Sequence, residues 1–396
     1  MRKHVLAALA LAIAFTAGLD ASAQAVDFSI RSGYANDTHA SQIAYDSFNN
    51  SIKRRLESVR FGNISRGFAS APILRSDDAY AMAPSSRTSS YPSASRRQLD
   101  CVYYNGFTVW GDFYQTWASQ STKNGLPGYK YRATAPAVGL DWSSGNFTVG
   151  LATTYNWGKL KSKSISHSQN VRTWGLEAYA QYDAELFYVN ATAGYGYNRF
   201  KGSRFDDNPN IPGFPGQVSH SARYHSNAFN ADAEFGMKFN FGGFQLTPHV
   251  GVRYFHDRRN KIEESNGVVG YNGYDIQADR KNYHVLELPV GVNVAYVFNM
   301  GGALIIPQFR FSWIPELARR RGNVSGTYNA YDPVSGGYQS AAFSANSPKR
   351  GRNGFLLGGG IEAKITKSLS AHLDYNCNFR NNAYEHHWNL GVGFTF

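Results

Sequence analysis

From about residue 107 onward, apolar and polar side chains alternate with a period of two. In FTVGLATTYNWG, Phe147, Val149, Leu151, Thr153, Tyr155 and Trp157 share one face; Thr148, Gly150, Ala152, Thr154, Asn156 and Gly158 share the other. In AFNADAEFGMKFN, Phe229, Ala231, Ala233, Phe235, Met237 and Phe239 alternate with Asn230, Asp232, Glu234, Gly236, Lys238 and Asn240. Alternation of this kind specifies a β-strand with one apolar and one polar face. The same pattern predicts strands near 107–118, 130–142, 146–158, 171–183, 186–200, 226–240, 243–256, 283–299, 302–317, 353–366, 368–380 and 385–396. They exceed the five or six residues of an ordinary strand and match the ~9–11 that a tilted strand needs to cross hydrocarbon.

The connections alternate in length. Short turns fall at 143–145, 183–185, 241–242, 299–301 and 366–368, and longer links at 119–129, 159–170, 201–225, 257–282 and 318–352; a final link, 380–383, is short but polar. Outer-membrane barrels have tight periplasmic turns and longer outer loops. An even strand number then leaves both barrel ends in the periplasm. A soluble sandwich also alternates, but its strands are shorter and its apolar faces meet in one core. Here Trp157, Tyr254, Tyr296 and Trp313 stand near the ends of apolar faces, as in an aromatic girdle, and the opposite faces carry Gly, Asn, Thr and charge, as in a wet lumen. Hydrocarbon offers no water to unpaired N–H and C=O groups, so the sheet must close. The fold class is therefore all-β: a 12-stranded antiparallel transmembrane outer-membrane β-barrel over 101–396.

Ahead of it the pattern changes. Residues 1–25 have a basic start, an apolar run from Val5 to Leu19 and small residues at Ala21, Ala23 and Ala25, which predicts a Sec signal peptide cut after Ala25, with Ala23 the alternative. Residues 26–100 form a short passenger or linker region, with a Ser/Pro/Arg-rich linker near 85–98. Within it, Phe48, Ile52, Leu56 and Val59 recur at helical spacing among Lys53, Arg54, Arg55 and Arg60, predicting a basic amphipathic helix over 44–61 that stops at Gly62. Such a helix either lies on lipid headgroups or sits inside the pore with its cations toward lumen carboxylates. Polar faces of the predicted strands place Glu177, Asp232, Glu234, Glu287, Glu362 and Asp374 in the lumen; Arg253, Arg310 and Lys364 share it and could pair with them without any helix.

The net charge of +12 changes the choice of partner. For an exported chain it points to a phosphate-bearing membrane surface and away from nucleic acid. Arg319–Arg321 and Lys349–Arg352, in the longest outer loop, are candidates for outer-leaflet phosphates. With 15% aromatic residues and only 2 Cys, a disulfide scaffold is excluded; Cys101 and Cys377 fall at opposite heights of the barrel and are expected to be free thiols. His386–His387 supplies too few ligands for a metal site. Asp206–Asp207 and His256–Asp257 lie near the outer rim, where carboxylates and a His could activate water, but neighbours on one strand point opposite ways. The expectation is a protein without catalysis or cofactor.

The segments VWGDFYQTW, PAVGLDWSSGNFTVGLATTYNWG, RTWGLEAYAQYDAELFYVNATAGYGYNRF, NADAEFGMKFNFGGFQLTPHVGVRYF, LLGGGIEAKITKSLSAHLDYN and the closing GVGFTF together resemble the autotransporter β-domain, the translocator of type V secretion. SFNNSIKRRLESVR resembles the stretch that often precedes such barrels. The resemblance implies a twelve-stranded barrel with a helix or linker through its pore. It also implies periplasmic chaperones, and insertion into outer-membrane lipid and lipopolysaccharide by the barrel assembly machinery, which reads a terminal strand ending in an aromatic, here Phe394 and Phe396. It further implies transport or display of the N-terminal segment. Only about 75 residues separate the predicted cut from the barrel, and no solenoid repeat occurs in them, so the alternative is a stand-alone porin-like channel or surface adhesin.

Overall fold

The computed structural model describes residues 32–70, 106–206, 216–268, 273–300, 302–320, 322–332 and 334–396, with the backbone alone for 32 and 62–70. The predicted signal peptide, the linker near 85–98 and Cys101 lie outside them. A single antiparallel sheet closes into a twelve-stranded barrel. Its strands are β1 (Gly106–Gln120), β2 (Tyr129–Ser144), β3 (Phe147–Ser162), β4 (His167–Asp183), β5 (Phe187–Asp206), β6 (Val218–Met237, resuming over Phe239–Phe241) and β7 (Phe244–Arg259). β8 comes in pieces (Lys281–Glu287 and Val290–Tyr296, with a tail Phe298–Met300), followed by β9 (Ala303–Arg319), β10 (Asn353–Lys364), β11 (Leu369–Arg380) and β12 (Ala383–Thr395). Closure is the pairing of β1 with β12, from Thr108 opposite Thr395 to Gln120 opposite Ala383.

Alternation survives folding intact. Val149, Leu151, Leu176, Phe235, Leu246, Leu373, Leu390 and Val392 are exposed on the outer face. An apolar surface that runs around the whole sheet has no stable place in water, and lipid is its solvent. Trp157, Tyr254, Tyr296 and Trp313 point the same way, as the girdle reading requires. Among the described residues no helix is long and apolar enough to cross a membrane.

The structure departs from the sequence expectation in several places. β5 and β6 run well past 200 and before 226 to become 20-residue strands. β8 is not continuous, because Pro289 has no N–H to give to a ladder. The pairing slips between Leu286 and Glu287, and Pro289 O accepts instead from Gly251 N at 2.8 Å. The outer links over 257–282 and 318–352 are not plain loops. Short strands Ile262–Ser265 and Ile276–Ala278 and a hairpin of Asn323–Asp332 with Gly337–Asn346 continue the sheet over the mouth, with Ile276 opposite Tyr328 and Ser221 opposite Ser265.

A short 3-10 turn (Ser32–Asn36) leads into α1 (Asp37–Ser70), 34 residues long. At 1.5 Å per residue it spans about 50 Å, more than the ~30 Å of hydrocarbon. It starts before 44 and runs through Gly62, so that glycine does not stop it; an internal Gly costs a helix only ~1 kcal/mol.

Candidate functional site: the helix in the pore

From Gly33 to Phe61 nearly every side chain of the turn and α1 is buried. The helix lies inside the barrel, so the headgroup-surface reading of 44–61 is replaced by the pore reading. Its apolar stripe has a definite seat: Phe48, Ile52 and Leu56 pack with Trp110, Tyr114, Ala135, Ala137, Ala152 and Tyr179 on β1–β4. Room for the helix comes from small residues on the lumen face. A Cβ on Gly196 would overlap the Tyr45 hydroxyl, and one on Gly202 would stand 2.9 Å from the Tyr34 ring.

Outside that stripe α1 is strongly polar, and it is stable because the wall answers its charges. Arg55 donates to both oxygens of Asp141, at 2.7 and 2.8 Å. Arg54 Nε donates to Asp374 at 2.5 Å, and its Nη1 pairs with Glu57 one turn on. Lys53 reaches Asp232 at 3.0 Å and Glu234 at 3.2 Å. Arg60 lies 3.9 Å above the Tyr188 ring and 3.8 Å from Glu57, a cation–π geometry. Ser58 donates to Glu362 at 2.6 Å, and Lys364 donates to the Ser58 carbonyl at 2.6 Å. Bidentate and charge-assisted contacts of this kind fix orientation as well as energy.

Every lumen candidate named from alternation faces inward: Glu177, Asp232, Glu234, Arg253, Glu287, Arg310, Glu362, Lys364 and Asp374. They do not all meet the helix. Arg310 bridges wall and helix, at 2.7 Å from Asp374 and 3.3 Å from Glu57. Arg253 touches Asp46 at 3.5 Å, Asp232 at 3.2 Å and Glu287 at 3.4 Å. Glu287 also binds Arg380 at 2.7 Å, away from the helix, which is the wall-ladder pairing. Glu177 accepts from Asn230 at 3.0 Å and, among the described residues, is paired with no helix cation. Asp141, Asp46, Glu57, Glu316 and Arg380 were missed. For Asp141 the signal was present, since it falls between outward Leu140 and Trp142. For Asp46 and Glu57 it was not, because helix rotation decides which wall residues they meet.

At the outer mouth the turn is held by Tyr34, which donates to Glu264 at 2.7 Å, and by Asn36, which donates to Pro127 O at 3.1 Å. Asp37 pairs with Arg259 at 3.3 Å. Glu264 in turn accepts from Arg204 through both oxygens, and Arg204 reaches Asp206 at 3.1 Å. At the other end Phe61 packs with Ala295 and Ile306, near the short β8–β9 turn. Beside Lys53, Arg54, Glu57 and Arg310 a space of about 70 Å³ remains, enough for a few waters.

A family profile described as the autotransporter beta-domain matches residues 109–376. The chain belongs to the autotransporter β-domain family. Similar proteins include "Outer membrane protein B" of Rickettsia japonica, 25% identical over 233 residues, spanning 57% of this chain and 13% of that one. The "Extracellular serine protease" of Serratia marcescens is 21% identical over 291 residues, spanning 73% of this chain and 26% of that one. The chain thus covers about a quarter or less of these relatives' lengths. Among solved structures, the translocator domain of the autotransporter NalP from Neisseria meningitidis superposes with a TM-score of 0.57 at 15% identity, covering 92% of this chain and 99% of that one. The beta domain of the Bordetella autotransporter BrkA gives 0.51 at 13% identity, covering 74% and 100%. As an autotransporter barrel, the protein resides in the bacterial outer membrane.

Among the described residues of this autotransporter barrel, the groups weighed in the sequence for other chemistry lie as follows. His256 is directed outward and Asp257 inward, so they cannot act on one water; Asp206 is engaged by Arg204, and Asp207 lies outside the described residues. His386 stacks on Tyr375 outside the wall, and His387 faces Ser47 and Thr116 inside. Cys377 is a free thiol. The loop cations expected to meet lipid phosphate divide: Arg319 and Arg350 turn inward onto Glu316, at 2.7 and 3.0 Å. Lys349 and Arg352 stay exposed, and Arg321 lies outside the described residues.

Proposed function

We propose that this barrel carries its own N-terminal segment across the outer membrane and retains α1 in the lumen as the trailing end of that passage. In this reading 1–25 is the export signal, 26–100 is the short passenger with its linker, and 101–396 is the translocator. One observation carries it: α1 is gripped from Asp37 to Phe61, with Asp37 and the turn before it at the long-loop mouth and Phe61 at the short-turn end. In this reading the segment ahead of Ser32 reaches the cell surface, and the linker after Ser70 belongs to the periplasmic side.

Phe394 and Phe396, on the outer face of β12 with rings 6.2 Å apart, then serve as the mark read by the barrel assembly machinery after delivery by periplasmic chaperones. The barrel itself performs no catalysis. An epitope at Asp27 should be accessible on intact cells, and one at Ser89 only after the outer membrane is opened. Both tags accessible only after opening would reject the reading. The stand-alone channel makes the opposite electrical forecast. If α1 is a plug, deleting 44–61 raises single-channel conductance in planar bilayers; equal conductance before and after deletion would favour a pore that never depended on the helix. The rim hairpin offers a folded outer platform, the one feature that favours a surface adhesin, and display and adhesion are compatible.

A further inference from the structure

The outer face of β2–β6 carries charge that its own strands do not neutralise. Just above the girdle, Lys130 stands opposite Lys161 and Arg132 opposite Lys159 across β2–β3. Arg172 stands opposite Arg199 across β4–β5, and Lys201 opposite Arg223 across β5–β6. All of these side chains are exposed. Like charges directly opposite on neighbouring strands destabilise a sheet, and this wall repeats the arrangement along adjacent strands. Among the described residues the outward positions of β2–β6 include no Asp or Glu, so these strands do not answer the repulsion themselves. Inside the same wall the solution is the reverse, with Arg55 on Asp141 and Lys53 on Asp232.

The height of the patch names its partner. Arg172 is directly opposite Trp157, and Trp174, two residues along on the same face, is the next ring down; Tyr195 and Tyr197 lie below Arg199 in the same way. Aromatic rings of this kind mark the membrane–water boundary, so the cations begin where acyl chains end, on the long-loop side. That is the headgroup layer of the outer leaflet. The patch is also one-sided. Across the seam, the corresponding outward positions hold Phe379 opposite Tyr384 and Trp117 opposite His386.

We propose that the β2–β6 wall is a docking surface for a phosphorylated glycolipid of the outer leaflet, its phosphates lying between the paired Lys and Arg side chains and its acyl chains against Trp157, Trp174 and Leu176. The surface rests on the outer-membrane location and is independent of whether the N-terminal segment is exported. It reassigns the lipid contact from the loop cations near 319–321 and 349–352 to the strands.

Binding of bisphosphorylated lipid A to the purified full-length chain in zwitterionic detergent tests this. The wild type should bind it about tenfold or more tightly than the same lipid stripped of phosphate, with the advantage shrinking as salt is raised. The quadruple variant Arg132→Gln/Lys159→Gln/Arg172→Gln/Lys201→Gln should lose that advantage, while Lys349→Gln/Arg352→Gln should keep it. Millimolar inorganic phosphate should not compete. Equal binding of the stripped lipid, a quadruple variant that binds as the wild type does, or displacement by inorganic phosphate alone would each overturn the proposal. The stripped-lipid arm uses the wild type only, so the test stands even if the variant folds poorly.

Discussion

The lumen of the barrel and the outer face of the β2–β6 wall carry charge under two different rules. Inside, Arg54, Arg55 and Lys53 each have a carboxylate within about hydrogen-bond reach, and Arg253 and Arg310 each touch more than one. Outside, Lys130, Arg132, Lys159 and Arg172 have none on their own wall. The lumen is closed off by α1 and the rim, so a cation there must find its counterion in the protein or leave a costly unpaired charge. The outer face abuts a solvent that can supply the anion. The same residue types are thus intramolecular bolts on one side and attachment points on the other.

That contrast can be broken most severely from within. Asp141→Asn leaves the Arg55 guanidinium buried without its bidentate partner, and should cost about 3 kcal/mol or more, seen as a lower temperature for loss of the compact band on heated gels. Gly196→Val should act as strongly on the helix while sparing the wall. It fills the Tyr45 seat, so conductance should approach that of the 44–61 deletion; an unchanged current would mean α1 is not held there. Leu56→Ala should cost about 2–3 kcal/mol by unloading the apolar stripe, read by protease access to α1. Lys53→Met should be milder, about 1 kcal/mol, because Arg253 still serves Asp232. Outer Arg132→Gln should shift stability in detergent by no more than about 0.5 kcal/mol, and in the stabilising direction, since it relieves its repulsion with Lys159. A large loss would mean that Arg132 has an undetected role in the wall.

Strand number, inward or outward sense and the order of short and long connections were legible because hydrocarbon enforces a strict period of two over many residues. Glu234 and Asp374 could be placed in the lumen from their neighbours alone. The rim was not legible in the same way. NVSGTYNAYD and GYQSAAFSAN alternate only weakly, with small side chains such as Ala330, Ala341 and Ala342, and neither face meets lipid. The cations of α1 were visible, but not their partners, because a helix can rotate about its axis and the sequence does not say by how much. Arg319 and Arg350 misled for a related reason: a loop's charge is apparent in sequence, whereas its direction depends on Glu316, which belongs to another element.

The seam between β1 and β12 has a consequence for timing. β12 is the last stave of the ring to leave the ribosome, and its pairing runs from Ala383 to Thr395, with Phe396 N donating to Phe107 O at 3.0 Å. Once those rungs are made the hoop has no gap. A peptide whose outer end is tied into folded strands at the rim could not then be slipped in sideways. After closure α1 can therefore reach its seat only end-on, so finding it already clasped in a stalled, still-open insertion intermediate would place its entry before the ring is sewn shut.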